Sequence, residues 1–197
     1  MKNTVLWAAF FFLLALLFSA GFASVEGSIP YAGNLPDVWR PDPNLWWVRI
    51  LYWFPNLGRP VNGLDTFFLL LAGGFGIFLV PVYMKTHGHP YGLKDWLEML
   101  TIFIAFSVIE DWVWYLINPF YGIQRFWPEF IPDWMHPLWF MGLPSQYWYG
   151  LLASIPTALV AHWPDYKSGV KFWLTVWVTM IVLSLAVAAI ASLCWVR

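Results

Sequence analysis

Two adjacent carboxylates, Glu110 and Asp111, lie deep inside a long apolar segment of this 197-residue chain. A charge in lipid costs roughly 2.5–3.5 kcal/mol on the insertion scale, so such residues usually face a protein interior or a wet cavity. Two carboxylates and a histidine are a sufficient starting set for a divalent metal or for acid–base chemistry. We therefore take Glu110, Asp111 and His136 as the candidate catalytic residues and as candidate metal ligands.

The acid pair belongs to a polar stripe, because residues three and four apart share one face of a helix. The residues predicted to contact a substrate are Trp114, Asn118, Arg125 and Tyr149. The alternative is structural: Glu110 or Asp111 pairs with Arg125 or Arg49 and specifies packing without catalysis. Adjacent residues also point about 100° apart on a helix, so both acids need not serve one site.

The composition predicts the elements that must position these residues. The chain is 60% hydrophobic and only 11% charged, whereas soluble domains are about a quarter charged. We predict an all-α fold, a single membrane domain over residues 1–197 with about five transmembrane helices. The predicted spans are residues 4–23, 64–84, 94–118, 145–163 and 171–195.

The N-terminal segment and the first loop have features that a simple transmembrane helix does not explain. Residues 4–23 have the length of a signal peptide as well as of a span, and Gly21-Phe22-Ala23 is similar to a small-residue cleavage site. We predict a retained helix. In the loop 24–60, an amphipathic segment begins behind Asn44 and is too short to span, so we predict that it lies in the membrane interface.

Five spans would place the termini on opposite sides of the membrane and would separate the cations by type. One side receives Lys2, Lys85, Lys94, Lys167 and Lys171, and the other receives Arg40, Arg49, Arg59, Arg125 and Arg197. The lysine side has the shorter loops, which predicts that it is cytoplasmic together with the N-terminus. The acid pair then lies toward the non-cytoplasmic face, and His87, His89 and His162 are excluded from its site.

Several classes of function find no support in the sequence. A net charge of −1 without a basic patch argues against a nucleic-acid partner. The single cysteine, Cys194, excludes internal disulfides and cysteine-rich metal sites. Phosphate-binding glycine loops and nucleophile motifs are absent. The acid pair in an aromatic-rich helix resembles small membrane lycopene cyclases over a few residues alone, and we assign no family from it.

The leading hypothesis is a small integral protein of the cell membrane with a polar pocket near its non-cytoplasmic face. It would bind, or act on, a lipid-like or isoprenoid substrate, with a divalent metal as the candidate cofactor; whether it is an enzyme is left open. One alternative is an accessory subunit of a homo- or hetero-oligomer, joined through small residues at 72–76 and 184–192. Another is a proton or ion pathway past the acid pair.

Overall fold

The computed structural model describes residues 2–26, 42–53, 80–88, 92–117, 126–131 and 138–194. These residues are mostly helical, which confirms the all-α class for the described part of the chain. The helices are α1 (Lys2–Glu26), α2 (Trp46–Trp53), α3 (Val80–His87), α4 (Leu93–Ile117), α5 (Ser145–Ala161) and α6 (Tyr166–Cys194). A short antiparallel hairpin, β1 (Trp139–Phe140) with β2 (Leu143–Pro144), precedes α5.

The fourth helix, α4, is the centre of the bundle. It packs against α1, α3, α5 and α6, and α6 also contacts α1 and α5. The space between these helices is filled by apolar side chains that are completely enclosed, among them Phe11, Ile102, Phe106, Val176 and Met180. The middle of α4 is therefore surrounded by a dry core that separates its two polar ends.

Two glycines allow the helices around α4 to approach closely. A Cβ atom on Gly150 of α5 would lie 2.4 Å from Cγ2 of Val108 on α4. A Cβ atom on Gly169 of α6 would lie 2.9 Å from the carbonyl oxygen of Ala158 on α5. Small residues at such crossings bring backbones together, so that dispersion contacts can hold the helices.

Two small-residue seams, at residues 72–76 and 184–192, were predicted to join subunits, and the structure describes the second. Ser184 and Ala188 are buried against the chain's own helices, whereas Ser192 is exposed. The seam at 72–76 lies outside the described residues. An oligomer formed through these faces stays a prediction.

Two described helices are long and apolar enough to cross a membrane: α4, and residues 166–193 within α6. They correspond to the predicted spans 94–118 and 171–195. Helix α5 coincides with the predicted span 145–163 but has 17 residues, and the span 64–84 is described only from Val80 onward. The described residues thus contain two candidate spans, and the five-span arrangement stays a prediction.

The hairpin before α5 turns at Met141 and Gly142, which both have positive φ angles, 50° and 77°. Two such residues form the type I′ turn that suits the twist of a two-residue hairpin. The register pairs Trp139 with Pro144 and Phe140 with Leu143. The indole nitrogen of Trp148 donates to the carbonyl oxygen of Phe140 at 2.8 Å, which ties the hairpin to α5.

Candidate functional site

Asp111 is held from α5. The hydroxyl of Tyr147 donates a hydrogen bond to Oδ2 of Asp111 at 2.6 Å. Tyr147 is buried and Asp111 is half-buried. A hydrogen bond from a hydroxyl to a carboxylate is shorter and stronger than one between neutral groups, so Tyr147 fixes where Asp111 points.

Glu110 turns toward α1 instead. The hydroxyl of Ser19, which is fully buried, donates to the backbone carbonyl oxygen of Glu110 at 2.8 Å and lies 3.5 Å from Oε1. Consecutive residues of a helix point about 100° apart. The two acids are therefore presented to different helices, Glu110 to α1 and Asp111 to α5.

Aromatic rings form a wall beside Asp111. This aromatic cluster consists of Trp114, Tyr115, Phe126 and Tyr147, packed with Ile131 and partly buried Trp139. The ring centroids of Tyr115 and Phe126 are 5.1 Å apart, and those of Phe126 and Trp139 are 5.5 Å apart. The segments 126–131 and 138–144 thus close over the end of α4 with apolar rings.

The predicted site residues fall into three groups. Glu110, Asp111 and buried Trp114 lie together at this end of α4. Tyr149 is 52% exposed, and Tyr147 is the tyrosine that reaches Asp111. The predicted site residues that lie outside the described part are Asn118, Arg125 and His136.

A metal centre at this end stays a prediction. Within the described residues, no group of three or more His, Cys, Asp or Glu side chains could hold a metal ion. The predicted third ligand, His136, lies outside those residues.

Tyr147 was not among the substrate contacts predicted from the sequence, although the pattern of α5 contained a signal. The buried residues of α5 are Tyr147, Ser154, Ala158 and Ala161, at intervals of seven, four and three. This spacing marks one face of a helix. A large tyrosine on a face of small residues is positioned to reach across to the neighbouring helix.

A second group of polar side chains surrounds Glu98, about 18 Å before Glu110 along the axis of α4. Oε1 of Glu98 lies 3.0 Å from Nε2 of His162 and 3.8 Å from Nζ of Lys94. The hydroxyl of Tyr83 donates to Oε2. The Glu98 side chain is 8% exposed, so one buried carboxylate gathers groups from α3, α4 and the turn after α5.

His162 makes close contacts on two sides. Nε2 makes no hydrogen bond of standard geometry within the described residues, so its approach to Glu98 is a polar contact and not a directed hydrogen bond. The ring packs against Phe172 of α6, with centroids 5.3 Å apart.

The turn between α5 and α6 also contains an N-terminal cap. The Asp165 carboxylate accepts hydrogen bonds from the Ser168 hydroxyl at 2.6 Å and from the Ser168 backbone N–H at 3.2 Å. These bonds satisfy a free N–H group in the first turn of α6. They also lower the pKa of Asp165, because they stabilise its ionised form.

A cavity of about 520 Å³ opens beside Glu98. It lies among the first turns of α1, α4 and α6, the helix α3 and the turn after α5. Its lining includes Lys94, Glu98, His162, Ser168 and Lys171. This cavity is at the opposite end of α4 from the acid pair.

No family model, curated protein or solved structure matches this chain. The chemistry of these two polar ends is therefore the basis for assigning a function.

Proposed function

We propose that the protein is an integral membrane protein that binds a lipid-like or isoprenoid molecule at the Glu110–Asp111 end of α4. The observation that carries this proposal is the Tyr147–Asp111 hydrogen bond at the edge of the aromatic cluster. Ligand sites are mostly apolar with a few placed polar groups that fix orientation. Rings would contact the apolar body of the ligand, and the acids would contact its polar end.

The membrane part of the proposal is supported by exposed apolar side chains. On α1, Leu6, Phe10, Leu13 and Leu17 are all exposed, and their spacing of four, three and four residues defines one face. On α6 the exposed apolar residues include Val178, Val182, Leu185, Ile190 and Leu193. Contiguous apolar surfaces of this kind are rare on water-soluble monomers. The proposal includes five spans and a cytoplasmic N-terminus.

The acids have two candidate chemical roles in this proposal. Glu110 and Asp111 would transfer protons to and from a bound substrate, or would ligate a divalent metal together with His136. Elemental analysis distinguishes the two roles. A near-stoichiometric metal in the wild type that is lost in Glu110→Gln and His136→Ala favours ligation, and a metal-free, folded wild type favours proton transfer.

The binding proposal is tested by identifying lipids that co-purify with the full chain. Mass spectrometry would compare the wild type with Glu110→Gln, Asp111→Asn and the control Ser192→Ala, which changes an exposed hydroxyl on α6. We expect one lipid class to be enriched over the bulk membrane in the wild type and the control. We expect the two acid variants to lose it while they remain monodisperse. A wild type without enrichment, or acid variants that keep it, would refute the proposal.

An accessory subunit is the second candidate function, and the hairpin favours it. Met141 at the turn is 75% exposed and Phe140 is 59% exposed, so the hairpin presents apolar side chains outward. Native mass spectrometry from mild detergent would test this role. A stable lone monomer counts against it, and a defined complex that is lost on Met141→Ser supports it.

A proton or ion pathway past the acid pair has less support. Between Glu98 and Glu110 the described core contains fully buried Ile102 and Phe106, and the hydroxyl of buried Thr101 is already hydrogen-bonded to Leu97 and Thr157. A pathway would predict uptake into proteoliposomes that Asp111→Asn abolishes.

A further inference from the structure

The cavity at the lysine end of the bundle has the features of an anion site. Three long helices, α1, α4 and α6, begin at this cavity, which is lined by Asn3, Lys94 and Ser168 from their first turns. The N-terminus of a helix carries about half a positive charge and unpaired N–H groups. The carboxylate of Asp165 already caps α6, so the helix ends that add to the charge of the lining are mainly those of α1 and α4.

Side chains of the cavity add a net positive charge. Lys94 and Lys171 line it together with the single carboxylate of Glu98. The ammonium group of Lys171 has no ion-pair partner within the described residues. The Lys94 side chain is 51% exposed and approaches Glu98 only to 3.8 Å. Both lysines can therefore bind a ligand without breaking a close ion pair.

Two acids of this end, Glu98 and Asp165, are engaged by neighbouring groups, and Asp95, in the first turn of α4, is buried outside the cavity lining. Glu98 is 8% exposed, and its two oxygens contact Tyr83 and His162. The Asp165 carboxylate accepts two hydrogen bonds from Ser168. These two carboxylates thus contact groups of the protein itself, whereas the two lysines line open space.

We propose that this cavity binds a phosphate group, presented either by an anionic lipid or by a free phosphorylated molecule. Lysine is a common phosphate ligand, and helix N-termini add directed N–H donors. The cavity lies on the predicted cytoplasmic side, where anionic lipid head groups attract basic residues near the surface. This site is separate from the proposed lipid site at Glu110–Asp111, and either can fail without the other.

The test measures the Tm of the full chain with two probes. In neutral detergent, inorganic phosphate replaces chloride at constant ionic strength. In nanodiscs, phosphatidylcholine alone is compared with phosphatidylcholine containing phosphatidic acid. A ligand that binds the folded state raises Tm by mass action. A rise with both probes assigns recognition to the phosphate group itself, a rise with phosphatidic acid alone assigns it to a lipid head group, and a rise with phosphate alone assigns it to a free phosphorylated molecule.

Lysine variants make the test specific. We expect Lys171→Gln to weaken the apparent affinity for the active probe about fivefold, since a lysine near an anionic surface contributes a factor of this order. Lys167→Gln is the matched control, because Lys167 lies four residues before Lys171 at the start of α6 but outside the cavity lining. Asp111→Asn should leave this binding unchanged. The proposal is overturned if neither probe raises Tm, or if Lys167→Gln weakens binding as much as Lys171→Gln.

Discussion

Nε2 of His162 lies 3.0 Å from Oε1 of Glu98, which joins the turn after α5 to the second turn of α4. The other carboxylate oxygen accepts a hydrogen bond from Tyr83 of α3, a residue that is 1% exposed. A single buried acid therefore determines how three separate parts of the chain meet at the lysine end of the bundle.

Replacing Glu98 by alanine should destabilise the protein by about 1–3 kcal/mol, because the buried Tyr83 hydroxyl would lose its acceptor. Glu98→Gln keeps an amide oxygen at this position and should lose less. Thermal unfolding in one detergent measures both variants. Equal losses in the two variants, or an unchanged Tm in Glu98→Ala, would show that the Tyr83 hydrogen bond contributes nothing.

Tyr147→Phe should destabilise the opposite end by a similar amount, about 1–3 kcal/mol, since Asp111 would lose a hydrogen-bond donor in a partly buried site. Tyr149→Phe is the matched control, because Tyr149 is 52% exposed on the same helix. Chemical unfolding in detergent compares the two variants. A larger loss in Tyr149→Phe would mean that α5 is rotated relative to the arrangement described above.

The hydroxyl of Ser154 makes three hydrogen bonds where α5 packs against α6. It accepts hydrogen bonds from the indole nitrogens of Trp173 at 2.8 Å and Trp177 at 2.9 Å, and donates to the carbonyl oxygen of Leu151. Ser154→Ala would remove the acceptor of both indoles, and we expect a loss of about 2 kcal/mol or more. Tm and tryptophan emission report the loss.

Ser192→Ala is the control for the Ser154 prediction. Ser192 also donates to the carbonyl oxygen three residues before it, at 2.8 Å, but it is exposed and accepts no indole hydrogen bond in the described structure. Its Tm should match the wild type. If both serine variants behave alike, the two indole hydrogen bonds do not stabilise the packing of α6 against α5.

The N-terminal cap at Asp165 should make the stability of the protein depend on pH in the acidic range. Its folded-state pKa lies below the unfolded value of 3.8, so the ionised cap stabilises the fold fully above that value and is lost as pH falls through the folded pKa. At pH 5 to 7, Asp165→Ala should have a lower Tm than the wild type, and the difference should begin to narrow as the pH falls below 3.8. A gap that persists when the carboxyl is protonated would contradict this.

For the described residues, the sequence by itself determined where the long helices lie and their approximate bounds. A run of apolar residues long enough to span lipid predicts one long helix almost regardless of its neighbours, because the backbone must satisfy its own hydrogen bonds there. The predicted span 94–118 became Leu93–Ile117, and the predicted interfacial helix became Trp46–Trp53. The hairpin turn could not be predicted in this way, because methionine, at Met141, is not one of the residue types that usually adopt positive φ angles.

Only the tertiary structure decided which polar residues meet. Tyr147 and Tyr149 are two residues apart on one helix, so the rotation of α5 about its axis selects the tyrosine that reaches Asp111. Glu98 is on α4 and His162 directly follows the neighbouring helix α5, so their contact depends on how far one helix is shifted along the other. Packing determines both the rotation and the shift of a helix, for example where Gly150 meets Val108 and where Gly169 meets Ala158. The spacing of apolar residues in the sequence predicts neither of them.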